Sequence, residues 1–139
     1  MNGFVLDASV ALHWFLDHPV PAYANRVKQF FLKGVRAVVP ALWHLEMSHG
    51  LVVAERRSIL TTADVDQAMM DIEQIVAQAV DTDSNVVSAR QSLATARAFQ
   101  LSAYNAVYLD LARHERLPLA TLDDRLHNAA ARAGVELLR

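Results

Sequence analysis

Four oxygen-bearing side chains stand out by type and by place: Asp7 in VLDAS, Glu46 in LWHLEMSHG, Asn105 in SAYNAVYLD and Asp123 in LATLDD. Three are carboxylates. Hard oxygen donors suit Mg2+ or Mn2+, which keep several waters and take few protein ligands beside a substrate phosphate. Asn105 departs from the set, because its carbonyl oxygen accepts from water or touches a metal but brings no charge. Asp7, Glu46 and Asp123 brought together raise one another's proton affinity, so the site is strained until a cation relieves it.

Each residue also has an ordinary structural reading. Asp7 stands where a helix N-cap belongs, and one of Asp123 and Asp124 is expected to cap the helix that follows them. Glu46 reads equally well as a solvated position on an amphipathic helix. Asn105 sits one turn inside a helix, where its side chain can reach back towards Ser102. Ser9 and Thr121 are either local backbone caps or partners of the neighbouring carboxylates. Coincidence favours chemistry: a cap needs no partner, whereas Asp7 follows buried apolar residues, where an unpaired charge is costly.

The elements that must position these residues follow from periodicity. Phe4 to Asp7 reads as a short buried strand, followed by a helix from Ser9 to about Leu16. A second helix over YANRVKQFFLKG stops at Gly34, and RAVVP is a strand closed by Pro40. Ala41 to about Arg57 is helical and carries Glu46. Thr61 or Thr62 caps the helix over ADVDQAMMDIEQIVAQA, and Asp83 or Ser84 caps another, to about Phe99. Ser102 caps the helix containing Asn105, LPLAT is a strand, and a helix to about Ala133 precedes a last strand, VELL. Strands alternating with helices favour one α/β sandwich around a short, mostly parallel sheet, with the two central helices as a helical hairpin beside it. No linker, repeat or low-complexity segment divides residues 1–139, so a single domain is expected. In open parallel sheets ligands gather beyond the C-terminal strand ends, which is where Asp7 and Asp123 fall.

Composition removes other classes. With 13 basic and 15 acidic residues the formal charge is -2, so the broad basic excess of a DNA-wrapping protein is missing. There is no cysteine, which excludes disulfides and thiolate metal sites and is compatible with a reducing cytoplasm. An apolar run long enough to span a bilayer is absent, so the expectation is a cytoplasmic protein with no membrane partner. Histidine chemistry is disfavoured as well: His44 and Glu46, two apart, face different sides of a helix, and two histidines four apart around a glutamate do not occur. His49, three residues from Glu46, remains a neighbour only. A flavodoxin-like phosphate-binding or receiver domain fits poorly, because no late strand is followed by lysine and no Gly-rich phosphate loop appears.

The blocks FVLDASVALHWFL, AVVPALWHLEMSHGL, LSAYNAVYLDLA and LPLATLDDRL, in this order, resemble those of PIN-domain ribonucleases, especially VapC-type toxins of type II toxin–antitoxin systems. The resemblance spans essentially the whole chain. It implies a PIN-like three-layer α/β/α sandwich whose acidic residues hold Mg2+ or Mn2+ at the sheet edge for RNA hydrolysis. Asp7, Glu46 and Asp123 match the acidic positions, Asn105 occupies one where the family has Asp, and Ser9 and Thr121 match small hydroxyl positions. Asp124 is the nearest additional acid, and Arg125 beside it is the best candidate for an RNA phosphate. The resemblance further implies a homodimer, an RNA substrate and a VapB-type antitoxin, with DNA met only indirectly through that antitoxin. Trp14 is a candidate partner contact near the first helices. Two functions follow: an endoribonuclease toxin restrained by its antitoxin, or a catalytically weakened PIN-like module that binds antitoxin or RNA because residue 105 is not Asp.

Overall fold

The computed structural model describes residues 2–139. Its elements run β1 (Gly3–Leu6), α1 (Ala8–Leu16), α2 (Ala22–Leu32), β2 (Arg36–Val39), α3 (Leu42–Arg56) and α4 (Thr62–Ala79). They continue with β3 (Val80–Thr82), α5 (Ala89–Phe99), α6 (Ala103–Glu115), β4 (Leu119–Ala120) and α7 (Asp124–Ala133). The sheet is wholly parallel, in the order β3-β2-β1-β4. β1 is buried along its whole length, which an all-apolar FVL run in a sheet covered on both faces requires.

Strand order fixes the layers. From β1 to β2 to β3 the chain steps one way across the sheet; from β3 to β4 it returns past β1 to the other side. Right-handed crossovers therefore place α1–α4 on one face and α5–α6 on the opposite face. Packing agrees: α1 lies on α2 and α3, while α6 lies on β1, β4, α5 and α7. The reversal occurs at β1 and β4, where connections leave to opposite faces and open a crevice beyond the strand ends. The core joins Phe4, Trp14, Trp43, Met47, Leu109 and Leu126 into one cluster.

Four expectations are corrected. Val80–Thr82 is a strand on the tail of α4, stabilised by pairing with Ala37–Val39 rather than by a local signal. α5 starts later than expected, with Ser88 as its cap in place of Asp83 or Ser84, and Ser88 Oγ accepts from the Gln91 amide at 3.2 Å. VELL contributes a single parallel bridge, Leu137 to Leu119, and no strand of its own. Trp14 is not a surface contact: its indole is buried against Phe31 and its Nε1 donates to the Ala24 carbonyl at 2.8 Å. No helix among the described residues is long and apolar enough to cross a membrane.

Candidate active site at the edge of the sheet

The strand registers bring the candidate residues to one level. Val5 lies beside Val38 and Leu119, so Asp7, two residues on, is level with Pro40 and Thr121. The ladder continues that far, since the Asp7 amide donates to the Ala120 carbonyl at 3.0 Å. Asp7 occupies the N-cap place of α1 but makes no side-chain cap bond. Its carboxylate turns instead to two hydroxyls: Ser9 Oγ and Thr121 Oγ1 each donate to Oδ2 at 2.7 Å. Both hydroxyls also accept, Ser9 from the Leu122 amide at 3.0 Å and Thr121 from the Asp123 amide at 3.0 Å. Thr121 is both a carboxylate partner and a local backbone cap, whereas Ser9 bonds the carboxylate and a distant amide; together they clip the end of β1 to the end of β4.

Asp7 is only 4% exposed, and this burial is the main force raising its pKa above the ordinary carboxylate range. The Ser9 and Thr121 bonds oppose the rise, and the charge of Asp123 adds to it. Asp123 caps α7, its Oδ1 accepting from the Leu126 amide at 2.9 Å. Asp124 is the first residue of α7 and is exposed.

Glu46 is half-buried on α3 rather than solvated. Tyr108 Oη donates to its Oε1 at 2.7 Å. Desolvation raises the Glu46 pKa, the Tyr108 bond restrains it, and the charge of Asp7 raises it further. Tyr108 itself is fully buried, and its hydroxyl also takes a long 3.4 Å bond from the Ala8 amide. Burial, then the negative charge of Asp7 and the contact with Glu46, push the phenol far above its ordinary pKa, so it stays a donor. Sequence reasoning missed Tyr108. The available signal was a tyrosine on the apolar face of a helix, whose buried hydroxyl must find a partner.

Asn105 lies half-buried one turn before Tyr108, and its backbone amide donates to the Ser102 cap at 3.1 Å. Its side chain makes no hydrogen bond among the described residues. The oxygens outside these bonds are Asp7 Oδ1, Glu46 Oε2, Asp123 Oδ2 and Asn105 Oδ1. This all-oxygen set fits Mg2+ or Mn2+ in chemistry. Among the described residues, however, no three His, Asp or Glu side chains stand close enough to share one ion directly. A fit therefore requires an ion that keeps part of its water, as Mg2+ ordinarily does.

Other candidates lie at the margins. Arg125 is exposed on α7. His44 Nε2 contacts Thr82 Oγ1 at 2.8 Å and ties α3 to β3. A cavity of about 490 Å3 adjoins Thr121 and is lined by Tyr23, Arg26, Asp124 and His127, of which only Asp124 is a residue the sequence singles out.

No protein family and no curated protein matches this sequence. Among solved structures, the chain is similar to that of PAE2754 from Pyrobaculum aerophilum, with a TM-score of 0.66 and 20% identity over 91% of this chain and 78% of that one. At this identity the likeness shows a shared α/β fold.

Proposed function

We propose that this chain is a metal-dependent endoribonuclease of the VapC toxin type, with the PIN-like fold its sequence blocks resemble. The observation that carries the reading is Asp7: a buried carboxylate at the switch point of a parallel sheet, within electrostatic reach of Glu46 and Asp123. Capping does not explain it, because it makes no cap bond. Burying a charge without a countercharge is expensive, and a cation at the crevice relieves that cost.

Asp7, Glu46, Asp123 and Asn105 would hold Mg2+ or Mn2+, which when bound supplies water activation and charge neutralisation at the scissile phosphate. The chain's own groups do the positioning. Ser9 and Thr121 hold Asp7 Oδ2 and leave Oδ1 without a hydrogen bond among the described residues; Tyr108 holds Glu46; the N-terminus of α7 adds its partial positive charge beside Asp123. Arg125 and Arg26 are the nearby basic groups for RNA phosphates. A homodimer, a VapB-type antitoxin and a cytoplasmic setting complete the proposal.

The second reading, a weakened binding module, is favoured by the neutral Asn105 and by the absence of a close acidic triad among the described residues. RNA cleavage by the chain and by Asp7→Asn, each with and without Mg2+ or Mn2+, separates the two. Metal-dependent cleavage lost in Asp7→Asn supports the nuclease; RNA or antitoxin binding without cleavage supports the module.

A further inference from the structure

The two sides of the sheet differ in charge. Residues 58–89, which lead through α4 into the edge strand β3, hold six acids and neither lysine nor arginine, so a polyanion is repelled there. Beyond the opposite strand, β4, the chain returns in a segment that begins a parallel ladder: the Leu119 amide donates to the Glu136 carbonyl and the Leu138 amide to the Leu119 carbonyl, both at 2.9 Å. The next rung of such a ladder would join the Thr121 amide to the Leu138 carbonyl. Tyr23 takes that place, its Oη donating to the Leu138 carbonyl at 2.7 Å. A side chain thus replaces a backbone rung, and the cavity of about 490 Å3 lies there, beside Thr121.

The same tyrosine fixes a cation at the cavity. Arg26 lies three residues further along α2, on the same face, and its guanidinium stands over the Tyr23 ring, 5.5 Å from its centre. Its charge reaches the phenol: burial raises the Tyr23 pKa, and the Thr121 amide and the Arg26 charge oppose the rise. The guanidinium is therefore held within electrostatic reach of the end of β4, where Thr121 donates to Asp7. Arg26 forms no ion pair among the described residues, whereas Arg36 is engaged by Asp81 in bonds of 2.9 and 3.0 Å. Stacked on a ring, a guanidinium keeps its N–H edge for a bidentate acceptor, and a phosphate fits that fork. His127 and Arg139 also line the cavity, against one acidic side chain, Asp124. Arg125 does not line it.

We propose that this cavity binds one phosphate of an RNA strand, that of a nucleotide flanking the bond cut at Asp7, with the Arg26 guanidinium as its main ligand. The inference rests on the ribonuclease reading for its role but not for its anion. Contacts of this kind set the register of the strand and carry no base preference. The strand then lies along the β4 side of the crevice, away from the acidic β3 side.

The test uses the full chain carrying Asp7→Asn, to prevent cleavage, and fluorescence anisotropy with RNA oligomers in which one phosphodiester at a time is replaced by a neutral methylphosphonate. One position flanking the cut loses about tenfold in affinity. Adding Arg26→Gln, checked for folding by circular dichroism, weakens the unmodified oligomer by a similar factor, weakens that one modified oligomer no further, and lowers the slope of log affinity against log salt by about 0.7. Asp124→Asn tightens binding, because it removes the one acidic side chain of the lining. An Arg26→Gln loss that is the same on every modified oligomer, or no loss at all, overturns the subsite and leaves the ribonuclease reading standing. Inorganic phosphate alone shifts the amide resonances of Thr121, Leu122 and Leu138, and Arg26→Gln abolishes the shifts. Such shifts in a chain that neither binds nor cuts RNA keep the anion site and overturn that reading. An acidic peptide that shifts these amides where phosphate does not assigns the cavity to a protein carboxylate and overturns the proposal.

Discussion

Tyr108 on α6 and Glu46 on α3 belong to helices on opposite faces of the sheet, yet their side chains meet at its C-terminal edge in a 2.7 Å hydrogen bond. A bond to a carboxylate in a half-buried place contributes about 1.5–3 kcal/mol. Tyr108→Phe keeps the ring and removes only the hydroxyl. The expected outcome is a folded protein destabilised by about 1–3 kcal/mol in urea unfolding, with metal-dependent cleavage reduced about tenfold because Glu46 loses its anchor. Wild-type cleavage by Tyr108→Phe refutes a positioning role for the hydroxyl.

The clip between β1 and β4 makes a separate prediction. Ser9 Oγ donates to Asp7 and accepts from Leu122, so Ser9→Ala leaves Asp7 Oδ2 with Thr121 as its remaining donor and strands the Leu122 amide. The loss expected is about 1–3 kcal/mol, the cost of one unsatisfied group. Ser84→Ala, at an exposed site with no recorded bond, changes stability by less than about 0.5 kcal/mol. Denaturant midpoints of the two variants compared with the parent check the contrast.

The metal-free protein is expected to lose stability as pH rises from acid towards neutral. Asp7 and Glu46 both have folded pKa values raised above their unfolded ones. Over the interval between the two values the native state binds more protons, so stability falls with increasing pH and levels off above the folded pKa. Asp7→Asn removes the contribution of the more deeply buried of the two, so it melts higher than the parent at pH 7.5 and shows a flatter profile down to pH 5. Thermal melts in EDTA across this range measure it. A variant less stable than the parent at pH 7.5 shows that charged Asp7 is a structural asset.

Sequence alone exposed the parts of the fold whose signals are local. The FVL run before Asp7, the cap at Ser102 and the turn at Gly34 all stand where they were expected. Val80–Thr82 was illegible because no glycine or proline separates it from α4, and only the distant Ala37–Val39 makes it a strand. VELL has the right composition, but one bridge to Leu119 is all the pairing it finds. At the candidate site, Asp7 and Thr121 were legible as strand-end residues, whereas Tyr108 was hidden by a periodicity that marks it simply as core. Trp14 misled for the opposite reason: a run of large apolar residues at a helix end looks like a surface contact until α2 is seen to cover it.

In the proposed metal site, Asn105 is the neutral member. It presents a carbonyl oxygen without charge, so the crevice carries one anion fewer than Asp would give. The other acid on α6 does not compensate: Asp110 is five residues further on, turned about 140° round the helix, and its Oδ1 is engaged by Thr95. Asp124 is exposed at the start of α7 and faces the cavity beside Thr121 instead. Asn105→Asp is therefore expected to tighten Mg2+ or Mn2+ binding about tenfold, equivalent to about 1.4 kcal/mol, and to raise cleavage most at limiting metal. Without metal the same change adds a like charge near Asp7 and Glu46, so the apo protein should melt lower than the parent at neutral pH and recover on adding Mn2+. Calorimetric titration and a cleavage series over metal concentration decide it. Unchanged affinity, rate and apo stability together place residue 105 outside the site.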